Sequence, residues 1–253
     1  MSIRVAVLGA FGRMGSESMK ALEAADGIEV VRGIGEADAL DSLVGSDGEA
    51  LVDVIVDFTV PSATKDNVLW AVRHGIHAVV GATGWTDEAR AEVRAALEAQ
   101  PSVGVFIAPN FAIGAVLAMT FAEQAARFYE SAEIIELHHP DKVDAPSGTA
   151  VHTAAAIARG RAAAKRGPIP DATEVDPGGA RGAEVDGVHV HAVRLRGLVA
   201  HEEILFGNVG EQLSIRHDSF DRASFMPGVV LAVRRVSGRP GLTVGLENLL
   251  DLG

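Results

Sequence analysis

The chain has 253 residues, a hydrophobic content of 48% and a formal net charge of −12. This composition supports one or two packed domains and argues against global disorder. The negative charge argues against nucleic acid and against an anionic membrane as partners. The absence of cysteine excludes disulfides, thiolate catalysis and cysteine-ligated metals. Without a signal-peptide pattern or an apolar stretch of membrane-spanning length, we expect a cytoplasmic protein.

The first predicted elements are a strand over Ile3–Leu8, a glycine turn over residues 9–15 and a helix from Ser16. Strand, glycine turn and helix form the context that a dinucleotide-binding loop requires, because glycines let the backbone approach a pyrophosphate at the helix N-terminus. The spacing is GxxGxxG, not the commoner GxGxxG. The turn by itself therefore leaves open a tight strand-to-helix connection without a ligand.

Further strands alternate with helices as far as residue 108. We predict strands over Ile28–Ile34, 50–59, 77–83 and 103–108, and helices over 67–74 and after Thr86. This alternation indicates a doubly wound parallel sheet, in which ligands bind at the carboxyl ends of the strands. Those ends are rich in glycine, threonine and asparagine, although each alone could be an ordinary turn.

The pattern changes after Asn110. A long helix is predicted over 113–129, a strand over 132–137 and a loop over 167–187. Period-two alternation over 188–196, 201–207 and 211–218 is typical of an antiparallel meander. These elements predict an inserted α+β domain with a mixed or antiparallel sheet. Residues 222–236 are expected to be helical after Pro227, followed by a glycine-rich tail.

The stretch 136–150 combines several chemical groups. Ser147, Gly148 and Thr149 stand where an alanine-rich helix begins, and a helix N-terminus binds anions through its backbone N–H groups. Lys142 could add a cation, and His138 a proton donor that titrates near neutrality. Each feature also has a purely structural reading, such as a helix cap or a packed histidine. Their concentration in fifteen residues favours function.

The string HHPDKVDAPSGTA within this stretch resembles the signature of dihydrodipicolinate reductase, and further similarity extends over nearly the whole chain. The resemblance implies an NAD(P)H-dependent reduction of 4-hydroxy-tetrahydrodipicolinate, a cyclic dicarboxylate, to tetrahydrodipicolinate in lysine and diaminopimelate synthesis. It implies a Rossmann-like nucleotide domain over 1–112 and 221–253, and a substrate-binding and oligomerisation domain over 113–220. It further implies a homotetramer built on the open sheet of the second domain.

Site residues follow from the same resemblance. His138 is the expected acid and Lys142 the second catalytic residue. Substrate carboxylates are expected at His139, Ser147, Gly148 and Thr149. The cofactor is expected at Gly9, Phe11, Gly12, Arg13, Met14, Gly15, Gly35, Phe58, Thr59, Gly81, Thr83, Ala108, Asn110, Phe111 and Arg222. No metal is expected. Ala82 departs from the family's usual threonine, which removes one minor contact.

The nucleotide preference is predicted from the end of the second strand. Enzymes strict for NAD usually carry an acid there, which repels a 2′-phosphate. Gly35 occupies that place here, Glu36 comes one position later, and Arg13 in the glycine turn could meet a 2′-phosphate. A solvent-facing Arg13 is an equal alternative. We expect use of both NADPH and NADH, with a lean to NADPH.

Two other functions remain open from the residues alone. A redox-sensing or scaffold protein would keep the glycine turn without needing His138 and Lys142. Another Rossmann enzyme, such as a semialdehyde or homoserine dehydrogenase, would lack the HHPDKVDAPSGTA stretch. The remaining histidines on the second sheet could be ligands but are expected to be surface residues, and Arg181 is expected to be solvated or ion-paired. These histidines are His189, His191 and His201.

Overall fold

The computed structural model describes residues 2–250. The chain forms two compact units, one from the residues up to Ile113 and from Arg222 onwards, the other from Gly114–Asp221. In chain order the elements are β1 (Ile3–Leu8), α1 (Arg13–Glu23), β2 (Ile28–Ile34), β3 (Val54–Asp57), α2 (Pro61–Arg73), β4 (His77–Val80), α3 (Asp87–Glu98), β5 (Gly104–Ile107), α4 (Ile113–Ala125), β6 (Ser131–His138), α5 (Gly148–Ala163), β7 (Ala183–Val185), β8 (Val188–Arg194), β9 (Ala200–Asn208), β10 (Glu211–Ser219), α6 (Met226–Arg235) and β11 (Gly241–Val244).

The first unit contains a six-stranded sheet in the order β2-β1-β3-β4-β5-β11, and every neighbouring pair is parallel. Strands β3, β4 and β5 are short and almost completely buried, as expected when helices cover both faces of a parallel sheet. Helix α1 packs against α6, and α2 packs against α3. The predicted doubly wound sheet is confirmed.

Several boundaries in this unit differ from the prediction. The strand predicted over 50–59 is only β3, because Ala50 forms an isolated bridge to Val44 and Asp53 turns its carboxylate to the Arg4 side chain, 2.7 Å away. Helix α2 begins at Pro61, whose fixed φ suits a helix start. Helix α1 begins at Arg13, not at Ser16.

The predicted glycine-rich tail contains a sixth strand. β11 pairs with β5 and is held at both ends, because the Gly241 N–H donates to Val103 O and the Gly245 N–H to Ile107 O, each at 2.9 Å. A strand of four residues between glycines gives too short an alternation to be recognised in the sequence. In the second unit, α4 ends at Ala125, before the predicted residue 129.

The second unit contains a five-stranded sheet in the order β10-β9-β6-β8-β7. The predicted mixed or antiparallel sheet is confirmed, and β9 pairs antiparallel with β10, but β8 does not lie beside β9 as the predicted meander requires. β6 lies between β8 and β9, and β8 runs parallel to β6, because the chain crosses over through α5 between them. The sheet is therefore mixed. β7 is a three-residue strand inside the predicted loop 167–187.

Helices α4 and α5 supply most of the core that covers one face of this sheet. Small residues such as Ala122 and Ala154 pack with Ile134, Ile204 and Phe206. The helices approach closely, and a side chain at Gly160 would collide with the carbonyl oxygen of Glu123. Within residues 2–250, none of the helices combines the length and apolarity needed to cross a membrane.

Candidate active site

The glycine turn after β1 is held by its neighbours. Gly9 has a φ of +72°, and a Cβ there would lie 2.7 Å from the carbonyl oxygen of Phe58. A Cβ at Gly15 would collide with the backbone of Gly9. Within the described part of the chain, Gly12 caps α1 without a side-chain hydrogen bond, and the first turn holds no acid. Backbone N–H groups at this helix start are therefore suited to an anion.

The strand ends of the first unit line up along one edge. The N–H of Gly9 donates to Ile34 O at 2.9 Å, and the N–H of Phe58 to Leu8 O at 3.1 Å. The N–H of Gly81 donates to Asp57 O at 2.9 Å, and that of Ala108 to Val80 O at 3.0 Å. The predicted cofactor residues of this unit lie in the segments that follow these strand ends: Gly9, Phe11, Gly12, Arg13, Met14, Gly15, Gly35, Phe58, Thr59, Gly81, Thr83, Ala108, Asn110 and Phe111.

Two aromatic rings shape the middle of the edge. The rings of Phe58 and Phe111 have centroids 5.8 Å apart, and Phe106 packs edge-on against Phe111. A side chain at Gly81 would overlap the Phe58 ring. Phe111 is buried, so it contributes to the edge by holding Phe58 and through its backbone. Thr83 is exposed on the following turn.

A buried carboxylate that the sequence analysis missed supports the loop after β3. Asp57 is fully buried, and its Oδ1 accepts from the backbone N–H and the hydroxyl of Thr59 at 2.8 and 2.6 Å. Asn67 donates to Asp57 Oδ2 at 3.1 Å. This network orients Phe58 and Thr59. An acid at the end of an apolar strand was the available signal.

The end of β2 holds a second missed acid. Asp38 Oδ2 accepts from the Gly35 N–H at 2.8 Å, so a carboxylate does stand beside Gly35 although the strand itself ends in glycine. The Phe11 ring is largely exposed and lies against Gly35. Arg13 and Glu36 are exposed. Arg222 is also exposed, in a 3-10 turn that packs against α1.

The second unit builds its polar cluster around Glu136, which the sequence analysis did not assign. Glu136 lies on β6 and is fully buried. Arg194 binds it in two parallel bonds, Nη2 to Oε1 at 2.7 Å and Nη1 to Oε2 at 2.8 Å. The backbone N–H of Ser147 donates to Oε1 at 3.1 Å, and His138 Nδ1 lies 2.5 Å from Oε2. One carboxylate thus connects the imidazole to the start of α5.

Burial and these bonds set the protonation of the cluster. Burial by itself raises the pKa of Glu136, but the bonds from Arg194 and His138 outweigh burial and lower it. Burial lowers the pKa of His138, and the bond to Glu136 opposes that shift. Glu136 is therefore ionised at neutral pH. It orients His138 through Nδ1, and this bond does not involve Nε2.

The loop before α5 already contains an anion. Asp144 Oδ1 accepts from Lys142 Nζ at 2.8 Å, and this bond lowers the pKa of Asp144, with a further contribution from the Gly148 N–H. Asp144 is about half exposed, at 51% of its side chain. Its carboxylate therefore shows where the loop accepts negative charge.

The other predicted substrate residues differ in accessibility. Ser147 is buried and caps α5, since its Oγ accepts from the Ala150 N–H at 3.2 Å. Gly148 is exposed, and a Cβ there would meet nothing within 4 Å. Thr149 is half-buried in the first turn, and His139 is exposed beyond the end of β6.

The expectation for the other polar residues of this sheet is correct for two of the histidines and wrong for the third. Arg181 and His191 bind Glu133 at 2.6 and 2.7 Å. His201 is buried, and its Nδ1 lies 2.7 Å from Asp218. His189 lies 3.4 Å from Asp171. Among residues 2–250, no group of three or more His, Asp or Glu side chains could hold a metal ion.

Comparisons with known proteins agree with this geometry. Residues 3–111 match the family described as dihydrodipicolinate reductase, N-terminus, and residues 114–250 match its C-terminus. The chain is 58% identical over 250 residues to a 4-hydroxy-tetrahydrodipicolinate reductase of Streptomyces griseus, covering 99% of this chain and 98% of the relative. A relative of the same name from Bifidobacterium animalis is 60% identical over 257 residues, covering 99% of this chain and 100% of the relative.

A solved structure is similar over the full length. It is a dipicolinate-bound dihydrodipicolinate reductase from Paenisporosarcina sp. TG-14, with a TM-score of 0.88, 37% identity and coverage of 99% of this chain and 100% of the other. An amine dehydrogenase from Mycobacterium smegmatis, at 14% identity and a TM-score of 0.60, shares the fold. The chain therefore belongs to the dihydrodipicolinate reductase family of NAD(P)H-dependent oxidoreductases, as its HHPDKVDAPSGTA stretch predicts.

Proposed function

We propose that the chain reduces 4-hydroxy-tetrahydrodipicolinate to tetrahydrodipicolinate in lysine and diaminopimelate biosynthesis, with His138 as the proton donor. The observation that carries this proposal is the buried Glu136, which binds both the imidazole of His138 and the N–H of Ser147. An acid is thereby fixed beside a helix start that accepts negative charge. The names of the close relatives, 4-hydroxy-tetrahydrodipicolinate reductase, support the same substrate.

The first unit fits a nicotinamide dinucleotide. The glycines at positions 9, 12 and 15 cannot carry side chains without collision or crowding, so the backbone stays accessible next to the start of α1. Gly12 to Gly15 would hold the pyrophosphate, and the Phe58 and Thr59 loop, fixed by Asp57, would lie beside the nicotinamide. When bound, the dinucleotide supplies the hydride. The contacts of Gly81, Thr83, Ala108, Asn110, Phe111 and Arg222 with it belong to the same proposal.

His138 supplies the proton. The product lacks the hydroxyl of the substrate, so the reaction releases water and consumes a hydride and a proton. With Nδ1 held by Glu136, the imidazolium donates through Nε2. The lowered pKa of His138 makes the charged form a stronger acid. Glu136 then carries the negative charge that stabilises the imidazolium before transfer.

The carboxylates of the substrate would bind at the loop before α5. Lys142 and the N–H of Gly148 hold Asp144 in the free protein, and Thr149 follows in the first turn of α5. A substrate carboxylate would take over these donors, and the exposed His139 would contact the second carboxylate. Ser147 would act by capping α5 and so presenting the turn. Two negative charges on the substrate make this local cation necessary in a chain of net charge −12.

The assembly and location of the chain are also proposals. We infer a homotetramer formed on the face of the β10-β9-β6-β8-β7 sheet that α4 and α5 do not cover, and a cytoplasmic enzyme. That face carries ion pairs, such as Glu133 with Arg181 and Arg216 with Asp218. Charged groups at an interface favour the correct partner and fix its orientation. Sedimentation would test the tetramer.

The reaction itself is tested by the oxidation of NADPH and NADH. The substrate is generated in the assay from pyruvate and aspartate semialdehyde by a separate synthase. We expect loss of NAD(P)H absorbance only when both precursors and the synthase are present, and formation of tetrahydrodipicolinate in equal amount. Oxidation at the same rate without aspartate semialdehyde would contradict the substrate assignment.

Replacing Lys142 with alanine is expected to raise KM for the substrate about 10- to 100-fold and to lower kcat as well, because a hydrogen bond between charged groups contributes about 1.5–3 kcal/mol. Calorimetry with pyridine-2,6-dicarboxylate and bound cofactor measures the same loss in Kd. Lys65→Ala is the matched control, since Lys65 forms a surface pair with Glu92 at 2.9 Å. Unchanged analogue affinity in Lys142→Ala would place the carboxylate site elsewhere.

The nucleotide preference is a finer proposal. We infer use of both cofactors with a lean to NADPH, because Arg13 is exposed at the start of α1, while the Asp38 carboxylate beside Gly35 could accept a hydrogen bond from the ribose hydroxyl of NADH. Arg13→Ala is expected to lower affinity for NADPH about 5- to 10-fold and to leave NADH nearly unchanged, with a loss that shrinks at high salt. Fluorescence titration of both cofactors measures this. A wild type that strongly prefers NADH would contradict it.

A further inference from the structure

A second buried carboxyl lies next to the Glu136 cluster. Glu202 on β9 is 5% exposed, and its Cα lies directly opposite Glu136 on β6 and His217 on β10. Residues directly opposite each other on antiparallel strands project from the same face of the sheet. Two carboxyl groups therefore share the buried face under α5, and like charges in such a position are destabilising.

The hydrogen bonds of Glu202 indicate where its proton lies. The Thr153 hydroxyl is 3.0 Å from Thr149 O and 3.0 Å from Glu202 Oε2. Thr153 is placed to donate to both oxygens, but a hydroxyl has a single proton, so the two bonds compete. Whenever Thr153 donates to the helix carbonyl, an ionised Glu202 is left without a donor at Oε2. The other oxygen, Oε1, is buried without a hydrogen-bond partner among residues 2–250. Burying a charged carboxylate oxygen without such a partner costs much free energy.

The surroundings favour the neutral form as well. Burial raises the pKa of Glu202 to about 7, the bond with Thr153 opposes that shift, and the charge of Glu136 adds to it. Charged and titratable groups reach this region from several elements: Glu136 and His138 from β6, Arg194 from β8 and His217 from β10. Both Arg194 Nη atoms are bound to Glu136, so the positive charge of Arg194 is already paired with the Glu136 carboxylate. Burial lowers the pKa of His217, which keeps that ring neutral.

We propose that Glu202 is a positioning residue that acts on the catalytic His138 through Glu136. It holds a proton up to neutral pH and thereby leaves Glu136 as the single negative charge shared by Arg194 and His138. The proposal rests on the function proposed for His138. Above neutral pH Glu202 ionises, and the second negative charge favours the imidazolium form of His138, so the two groups titrate as a coupled pair.

The first test concerns the proton itself and does not depend on activity. A group with a raised folded-state pKa contributes stability that is fully present below its unfolded value of 4.5 and is lost as the pH rises through about 7. The wild type should therefore lose unfolding free energy between about pH 5 and about pH 8 that Glu202→Gln does not lose. In infrared spectra at about pH 6, a buried carboxylic-acid band should be missing from Glu202→Gln. Equal pH dependence of unfolding in both proteins would overturn the neutral carboxyl.

The second test concerns the effect on His138. Histidine NMR, assigned with His138→Gln, should show a broad, coupled titration of His138 in the wild type and a single step at lower pH in Glu202→Gln. The profile of kcat/KM should agree. Below pH 7 the variant should match the wild type. Above pH 7, where only the wild type carries the second negative charge, kcat/KM of the variant should fall up to about threefold below that of the wild type. A merely structural role would lower stability without moving either curve.

The neighbouring acid provides the matched control. Glu203 projects from the opposite face and binds Arg216 at 2.9 Å, so Glu203→Gln should leave the His138 titration and the pH profile of kcat/KM unchanged. An identical alkaline limb in Glu202→Gln and wild type would overturn the link to His138. If His138→Gln retained normal activity, the proposed acid would be wrong, whereas the unfolding experiment would still decide whether Glu202 carries the proton.

Discussion

Replacing His138 with glutamine is expected to lower kcat about 10²–10⁴-fold, the usual contribution of a general acid. The amide can still accept or donate a hydrogen bond toward Glu136, but it cannot give up a proton at neutral pH. Affinity for NADPH and NADH should stay nearly the same, because the proposed cofactor residues lie in the other compact unit. Single-turnover measurement of NADPH oxidation separates the chemical step from binding.

The control for this variant is His152→Gln, an exposed histidine on α5. It should retain the kcat of the wild type. The pH profile offers a second check, because burial lowers the pKa of His138 and the bond to Glu136 only partly opposes it. Since the charged imidazole is the active form in the proposed mechanism, kcat/KM should fall as the pH rises through a value below 6.5. Near-normal kcat in His138→Gln would remove the acid role.

The parallel sheet could be predicted because its strands are recognisable one by one. Apolar runs such as 54–57 and 104–107 are buried on both faces, and a glycine turn before a helix allows few other structures. The order of the second sheet could not be predicted. Period-two alternation shows which face of a strand is buried, but it does not show which strand lies beside it. The position of β6 between β8 and β9 therefore could not be predicted from the sequence of these strands.

The acids that organise the candidate site were missed for a different reason. Glu136 continues the register of Ala132 and Ile134, and Glu202 continues that of Ile204 and Phe206, so each acid stands at a core-facing position of its strand. A carboxyl in such a register was a readable signal of a buried polar group. The partner of Glu136 could not be predicted, because Arg194 binds it from a strand 58 residues away in the chain.

Replacing Arg194 with alanine is expected to destabilise the protein by about 3–5 kcal/mol, because it leaves the fully buried Glu136 without its cation. Kcat should fall in the same variant, since Glu136 would then retain a proton and hold His138 less firmly. Urea unfolding measures the first effect. Arg216→Ala is the control, because Arg216 forms exposed pairs with Glu203 and Asp218 and should cost about 1 kcal/mol or less.

A double variant separates the two roles of the pair. Glu136→Leu combined with Arg194→Met replaces both charges by apolar groups, which often restores most of the stability lost when a single partner is removed. Kcat should stay low in the double variant, because His138 loses the carboxylate that orients Nδ1. Recovery of both stability and kcat would show that the pair acts only in folding. Recovery of neither would show that the Ser147 N–H and the loop before α5 depend on the Glu136 carboxylate itself.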